Sequence, residues 1–163
     1  MAGCELVFSA MGLPEQWFAD EGVFDRVNAV GSGELARAAR EAGVRRFIHT
    51  STNDVFHAEQ GASFDESELA GYPKVTAYER SKQKAERLVL PERRAGEMEV
   101  VITNPTAVYG PGPSSSHTLE NGLLRPLVEN KLPALVPGGI GLVFVDGVVA
   151  GHLVALLGTF ARK

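Results

Sequence analysis

Tyr78 and Lys82 form the pair of residues in this 163-residue sequence whose types and spacing most suggest chemistry. Side chains four residues apart lie on the same face of a helix, so the phenol and the ammonium would be neighbours. A nearby ammonium favours the phenolate and lowers the pKa of a tyrosine from about 10 towards neutrality. A tyrosine tuned in this way can exchange a proton with an alcohol or a carbonyl. Taken alone, the pair also fits the solvated surface of a charged helix.

Hydroxyl groups and a rigid loop stand where they could join this pair. Thr50-Ser51-Thr52 follows one apolar run, and a loop rich in proline and glycine, Asn104 to Gly112, follows another. In open α/β sheets, the carboxyl ends of the strands border the ligand crevice. By themselves the hydroxyls fit polar residues that simply end a strand. If the sheet is parallel, however, the hydroxyls, the Tyr-Lys pair and the loop converge on one rim.

The apolar pattern predicts the elements that would position these residues. Short runs at 6–8, within 44–51 and at 99–103 are typical of buried strands, and the last is rich in β-branched residues. Helices are predicted at about 23–42, where apolar residues recur with the helical period, and at about 77–94. Strand and helix thus alternate, which predicts an α/β fold with a parallel, Rossmann-like doubly wound sheet around a βαβαβ core.

After residue 103 the regular alternation of strand and helix is lost. The whole chain, residues 1–163, is expected to form one domain. The loop-rich region 105–141 would border the crevice. In order, the predicted elements are a loop at 104–116, a helix at 118–130, a loop at 133–141, a strand at 142–145 and an apolar helix at 148–160.

Composition excludes several classes of protein. The length and the 44% hydrophobic content fit one globular domain, and the net charge of −4 gives no reason to expect nucleic acid or an anionic membrane as partner. The single cysteine, Cys4, excludes an internal disulfide and a cysteine-rich metal site. No apolar run reaches about 18 residues, and no signal peptide is visible. We therefore expect a cytoplasmic protein with no metal.

Gly31-Ser32-Gly33-Glu34-Leu35-Ala36 imitates a dinucleotide-binding fingerprint. That motif works only as a tight turn between a strand and a new helix, whose N-terminus faces the pyrophosphate. Here the preceding residues, 24–30, are already predicted to be helical. We therefore interpret the glycines as small residues that let a helix pack closely on the sheet.

Several segments together resemble the extended short-chain dehydrogenase/reductase superfamily, and more narrowly the NAD-dependent epimerase/dehydratase family, with dihydroflavonol-reductase-like enzymes and nucleotide-sugar epimerases as relatives. The strongest are Phe47-Ile48-His49-Thr50-Ser51-Thr52, Tyr78 to Lys82, and Asn104-Pro105 to Gly112, in this order and spacing. Further similar segments are Asn28-Ala29-Val30-Gly31-Ser32, Leu6-Val7-Phe8-Ser9-Ala10 with Ser9 where a histidine is common, and Phe144-Val145-Asp146-Gly147-Val148 with Gly147 in place of an aspartate.

The resemblance implies a role for individual residues. Tyr78 would be the general acid/base, Lys82 would lower its pKa and bind the nicotinamide ribose, and Thr52 would hold the substrate oxygen. Asn28 would be structural or close to the cofactor, and Glu66 is interpreted as a loop carboxylate. The resemblance places cofactor contacts at Ser9, Ala10, Asn28, Ser51, Tyr78, Lys82, Pro105 and Val108.

The same resemblance implies NAD or NADP as cofactor and hydride transfer to or from its nicotinamide. The substrate would be a small molecule such as a sugar nucleotide, a simple sugar derivative or a flavonoid-like ketone. Family members begin with a glycine-rich unit, which this sequence lacks before Leu6, and end with a substrate-binding region, most of which it also lacks. We therefore expect a chain shortened at both ends. Three alternatives stay open: a fragment of an enzyme, an oxidoreductase that completes its fold as a homodimer, and an inactive binding domain.

Overall fold

A computed structural model describes residues 3–14, 17–57, 62–67, 69–94, 96–111, 119–134 and 139–157. Within these ranges, no helix is long and apolar enough to cross a membrane. The same residues bring together no group of three or more potential metal ligands.

A three-stranded parallel sheet forms the centre of the molecule. Its strands are β1 (Leu6–Ser9), β2 (Arg46–Thr50) and β3 (Glu99–Thr103), in the order β1-β2-β3. The register pairs each of residues 46–49 of β2 with one residue on either side, so that Phe47 lies between Val7 and Val100, whereas Thr50 pairs with Thr103 alone. The carboxyl ends of all three strands therefore meet at one edge, as the sequence predicts.

Two helical segments cover one face of this sheet. The first runs without interruption through α1 (Gly22–Phe24), a π-helical stretch (Asp25–Gly31) and α2 (Ser32–Glu41). The second is α3 (Ala77–Val89), which is shorter than predicted because Pro91 follows in a 3-10 turn and cannot continue the backbone hydrogen bonding. Between helices and sheet lies a core of Ala36, Ala39, Val44, Phe47, Val89 and Met98.

The opposite face of the sheet carries α5 (Val145–Leu157), so the sheet is doubly wound as predicted. Arg46, which points away from α2 and α3, donates a hydrogen bond of 3.2 Å to the carbonyl of Ala155 in α5. This helix begins three residues earlier than the sequence predicts. The predicted end of the helix, at 158–160, lies outside the described residues.

The region 105–141 holds more structure than predicted. A strand β4 (Ala107–Tyr109) lies where a loop was expected, and it pairs in parallel with β5 (Leu142–Phe144). A π-helical turn (Glu120–Leu124) and α4 (Arg125–Val128) lie between them. The prediction of a continuous loop over 104–116 is wrong because β4 depends on a partner more than 30 residues away, which no local pattern reports. The stretch 112–118 lies outside the described residues.

The glycines of the false fingerprint lie inside the long helix, as the sequence analysis predicts. Ala36 packs against the sheet in the core with Phe47, whereas Gly33 lies against a different neighbour. A Cβ added to Gly33 would be 2.9 Å from the Cβ of Leu88 in α3. The small side chains therefore permit two close approaches, one to the sheet and one to the neighbouring helix.

Candidate active site

A capping box fixes the start of α3 just before Tyr78. The Thr76 hydroxyl accepts a hydrogen bond from the Glu79 amide at 3.1 Å, and the Glu79 carboxylate accepts one from the Thr76 amide at 2.8 Å. Tyr78 therefore lies in the first turn, where its ring packs edge-on against Phe24 at 6.5 Å between centroids. Both contacts restrict the direction in which the phenol points.

The Tyr78 hydroxyl lies close enough to the hydroxyl of Thr52 for Thr52 to influence its pKa. Thr52 follows the end of β2 and caps a short 3-10 helix, Asn53–Val55. Its hydroxyl accepts from the Asp54 amide at 3.3 Å and donates to the Asp54 carboxylate at 3.1 Å. The structure thus brings together two of the predicted catalytic residues at the carboxyl edge of the sheet.

Burial raises the pKa of Tyr78, with further increases from the negative charges of Asp54 and Glu79. The Thr52 hydroxyl acts in the opposite direction but does not reverse the increase in the pKa. Removing the phenolate from water disfavours the charged form more than the surroundings favour it. The predicted effect of Lys82, which is to lower this pKa, is not among the influences found for Tyr78, and it stays a prediction.

Lys82 lies one turn after Tyr78 and is only 4% exposed. Its ammonium donates a hydrogen bond of 2.7 Å to the carbonyl oxygen of Thr50, at the end of β2. Burial lowers the pKa of Lys82 to about 8, and the carboxylate of Glu86 partly opposes this decrease. A lysine with such a pKa still carries its charge at neutral pH.

Two polar residues without a predicted role, Asn104 and Glu86, connect these groups. The side-chain amide of Asn104, directly after β3, donates 3.1 Å to the Thr52 carbonyl and 2.8 Å to the Glu86 carboxylate. Burial raises the pKa of Glu86, and the nearby Ser51 hydroxyl, Asn104 amide and Lys82 ammonium offset only part of the increase. The signal that could have identified Glu86 is its spacing of four residues from Lys82.

Asn28, which the resemblance makes structural or close to the cofactor, is fully buried in the π-helical stretch. Its side chain accepts from the Leu13 amide at 2.7 Å and donates 3.2 Å to the Leu13 carbonyl and 3.1 Å to the Ser81 hydroxyl. These bonds fasten the segment after β1 to α3. The structural role is thus the better supported of the two.

The remaining predicted cofactor contacts lie in or shortly after β1, β2 and β3, except Val108, which lies in β4 of the second sheet. Ser9 ends β1, is buried and lies 3.4 Å from the ring nitrogen Nδ1 of His49. The other positions differ in exposure: Ser51 is buried, Pro105 is half-buried, and Ala10 and Val108 are exposed. Glu66 is exposed, which supports its interpretation as a loop carboxylate.

The reverse face of the sheet holds a histidine that the sequence analysis did not single out. His152 of α5 lies with Nε2 at 2.8 Å from the Thr50 hydroxyl and 3.1 Å from the Thr103 hydroxyl. Its Nδ1 lies 2.8 Å from the carbonyl of Val148, one turn earlier. Thr50 is therefore hydrogen-bonded to His152 through its side chain and to Lys82 through its backbone carbonyl.

Comparisons with known proteins agree with this arrangement. Residues 2–158 match the description of the NAD dependent epimerase/dehydratase family. A putative dihydroflavonol 4-reductase from Synechocystis is 31% identical over 157 residues, which cover 95% of this chain and 45% of that protein.

Solved structures show the same likeness. The crystal structure of gox2253 matches with a TM-score of 0.84 and 28% identity, over 96% of this chain and 48% of that one. DesIV, a dTDP-glucose 4,6-dehydratase from Streptomyces venezuelae solved with NAD bound, matches with a TM-score of 0.81 and 23% identity, over 98% of this chain and 50% of its own. The chain thus spans about half the length of the proteins it matches.

Proposed function

The chain belongs to the NAD-dependent epimerase/dehydratase family, and on that premise we propose that it carries the catalytic residues of an NAD(P)-dependent oxidoreductase. The family implied by the sequence motifs is thereby confirmed. One observation supports the proposal most: the hydroxyls of Tyr78 and Thr52 lie near each other at the carboxyl edge of a parallel sheet, with the buried ammonium of Lys82 one turn away.

Each of the three residues would have a distinct task. Tyr78 would give a proton to a substrate carbonyl oxygen during reduction, or take one from the alcohol during oxidation. Thr52 would hold that oxygen through its hydroxyl, and the carbon would exchange a hydride with the bound nicotinamide. Because burial raises the pKa of Tyr78, the phenol is neutral at neutral pH, which is the form that reduction requires.

The residues present fit a nicotinamide cofactor. An ammonium has three donors, and the Thr50 carbonyl accepts one of those on Lys82, so others can reach ribose hydroxyls. Ser9, Ala10, Ser51, Pro105 and Val108 would line the remainder of the cofactor site. These contacts would be the same for NAD and for NADP.

The substrate would be an alcohol or a ketone, either within a nucleotide sugar or in a larger apolar molecule. We propose a single domain whose segment 105–141 borders the crevice that receives it. The family contains both substrate classes, so a panel of nucleotide sugars and flavonoid-like ketones would separate them.

The test is to measure cofactor binding and turnover separately. We expect calorimetry to detect NAD or NADP binding. We expect Tyr78→Phe to lower kcat about 100- to 10,000-fold without weakening the binding of the cofactor. The matched control Tyr72→Phe removes a hydroxyl from an exposed tyrosine and should leave kcat unchanged.

Two outcomes would contradict this proposal. Turnover that persists in Tyr78→Phe would remove the proton-transfer role. A folded chain that takes up neither cofactor would favour the alternative, a catalytically inactive binding domain.

A further inference from the structure

Glu86 is a buried carboxyl group for which the proton transfer described above has no use. It is 5% exposed and lies four residues after Lys82 on the same face of α3. A carboxylate in such a place is costly unless charges or hydrogen bonds compensate it. Its partners therefore indicate what the residue does.

The first partner is the amide of Asn104, which acts as a bridge. One nitrogen, Nδ2, donates 2.8 Å to Glu86 Oε1 and 3.1 Å to the backbone oxygen of Thr52. Helix α3 and the ends of β2 and β3 are thereby tied together at one point. The backbone that carries the Thr52 hydroxyl is held through this bridge, and the hydroxyl itself meets Tyr78.

The second neighbour is the ammonium of Lys82, which is buried one helical turn earlier on the same face of α3 and on which Glu86 acts through its negative charge. Tyr78 on the same helix is a neutral phenol, and burial lowers the pKa of His49 in β2 to about 4, so its imidazole is neutral. The long helix contributes the uncharged Asn28, and the exposed Asp54 acts on Tyr78.

We propose that Glu86 is a positioning residue of this site: through Asn104 it fixes Thr52, and it is the counter-charge of the buried Lys82 ammonium. This inference rests on the proposed function for its catalytic meaning. The two interactions themselves do not depend on the proposed function and can be measured without substrate or cofactor.

The decisive experiment is an NMR titration of the Lys82 side chain, assigned by its loss in Lys82→Met. In Glu86→Gln, the amide oxygen still accepts from Asn104 but the charge is gone. We expect the midpoint of the Lys82 titration to fall by about one pH unit. Glu34→Gln, which removes a negative charge from the exposed surface of α2, should leave the midpoint where it is.

An unchanged midpoint in folded Glu86→Gln, or an equal change in Glu34→Gln, would overturn the proposal. A second measurement needs no variant: the Glu86 side-chain carboxyl carbon in the parent chain should report an ionised group at pH 7.5 to 8. A protonated Glu86 in that range would also overturn it.

Asn104→Ala separates the bridge from the charge. It keeps both charges, so the Lys82 midpoint should stay close to that of the parent. Where the chain turns over substrate, kcat should fall at least tenfold while cofactor binding is retained, because Thr52 is no longer held. An unaltered kcat would remove the positioning role.

If the parent shows no turnover at all, the proposed function fails, and the Lys82 titration still decides the role of Glu86.

Discussion

Burial controls the ionisation of the side chains around Tyr78. It is the largest influence on the pKa of Tyr78, which it raises, and on those of Lys82 and His49, which it lowers to about 8 and about 4. The spacing of Tyr78 and Lys82 predicts that they are neighbours on one helix. It does not predict their depth, because depth depends on segments far away in the sequence, such as 3–14 and 50–56. The sequence therefore identifies candidate residues but not their charge states.

His49 makes the stability of the chain sensitive to acid. Its imidazole is fully buried and its Nε2 has no hydrogen-bond partner among the described residues. The unfolded chain binds a proton near pH 6.5, whereas the folded one does so only near pH 4. Stability is therefore lost as pH falls through this window, by up to about 3 kcal/mol.

His49→Leu should remove most of this sensitivity. We expect the free energy of unfolding of the variant, measured with urea, to fall less than that of the parent between pH 6.5 and 4.5. His57→Leu, at a partly exposed histidine, should behave like the parent. Parallel curves for the parent and His49→Leu would contradict the buried, uncharged state of His49.

Among the secondary-structure elements, those that have a local sequence pattern were predicted. The three parallel strands and the two helices beside them follow apolar periodicity, and each was predicted within a few residues. Strand β5 was predicted at 142–145, but its partner β4 escaped because β4 is three residues long and forms only through that pairing. The π-helical stretch around Asn28 escaped as well, since it is held by contacts of that side chain with Leu13 and Ser81.

Two glycines test the packing of the helices in opposite directions. Gly33→Ala should destabilise the fold by roughly 1–3 kcal/mol, because the new Cβ would lie 2.9 Å from the Cβ of Leu88. Gly151→Ala in α5 meets nothing within 4 Å and should stabilise the chain by up to about 1 kcal/mol. Thermal melting of both variants checks this. A neutral Gly33→Ala would mean that α2 and α3 are not so close.

At the scale of the whole molecule, a large apolar surface faces solvent. Leu6 and Phe8 of the edge strand β1 are more than 40% exposed, and so are Val149, Leu153, Val154 and Leu157 of α5. Exposed edges and apolar patches of this kind favour association between chains. This is the physical basis for proposing a homodimer.

Charge on that surface should keep chains apart. We expect the isolated chain to associate as its concentration rises, and Phe8→Lys combined with Leu153→Lys to shift it towards the monomer, measured by size-exclusion chromatography with light scattering. Val75→Lys, at a residue 90% exposed outside this surface, is the control. A parent that stays monomeric at every concentration would remove the homodimer from consideration.

Thr50 has a consequence for how sequence variation in this protein should be interpreted. Its backbone carbonyl accepts a hydrogen bond from Lys82 on one side of the sheet, and its hydroxyl forms a hydrogen bond with His152 on the other. A mutational scan ranked by distance from the Tyr78 hydroxyl would classify His152 as a tolerant helix position. Because Thr50 contacts both Lys82 and His152, we expect a different result. Substitutions at His152 and Thr103 should appear among those that impair function, as a second cluster on the reverse of the sheet.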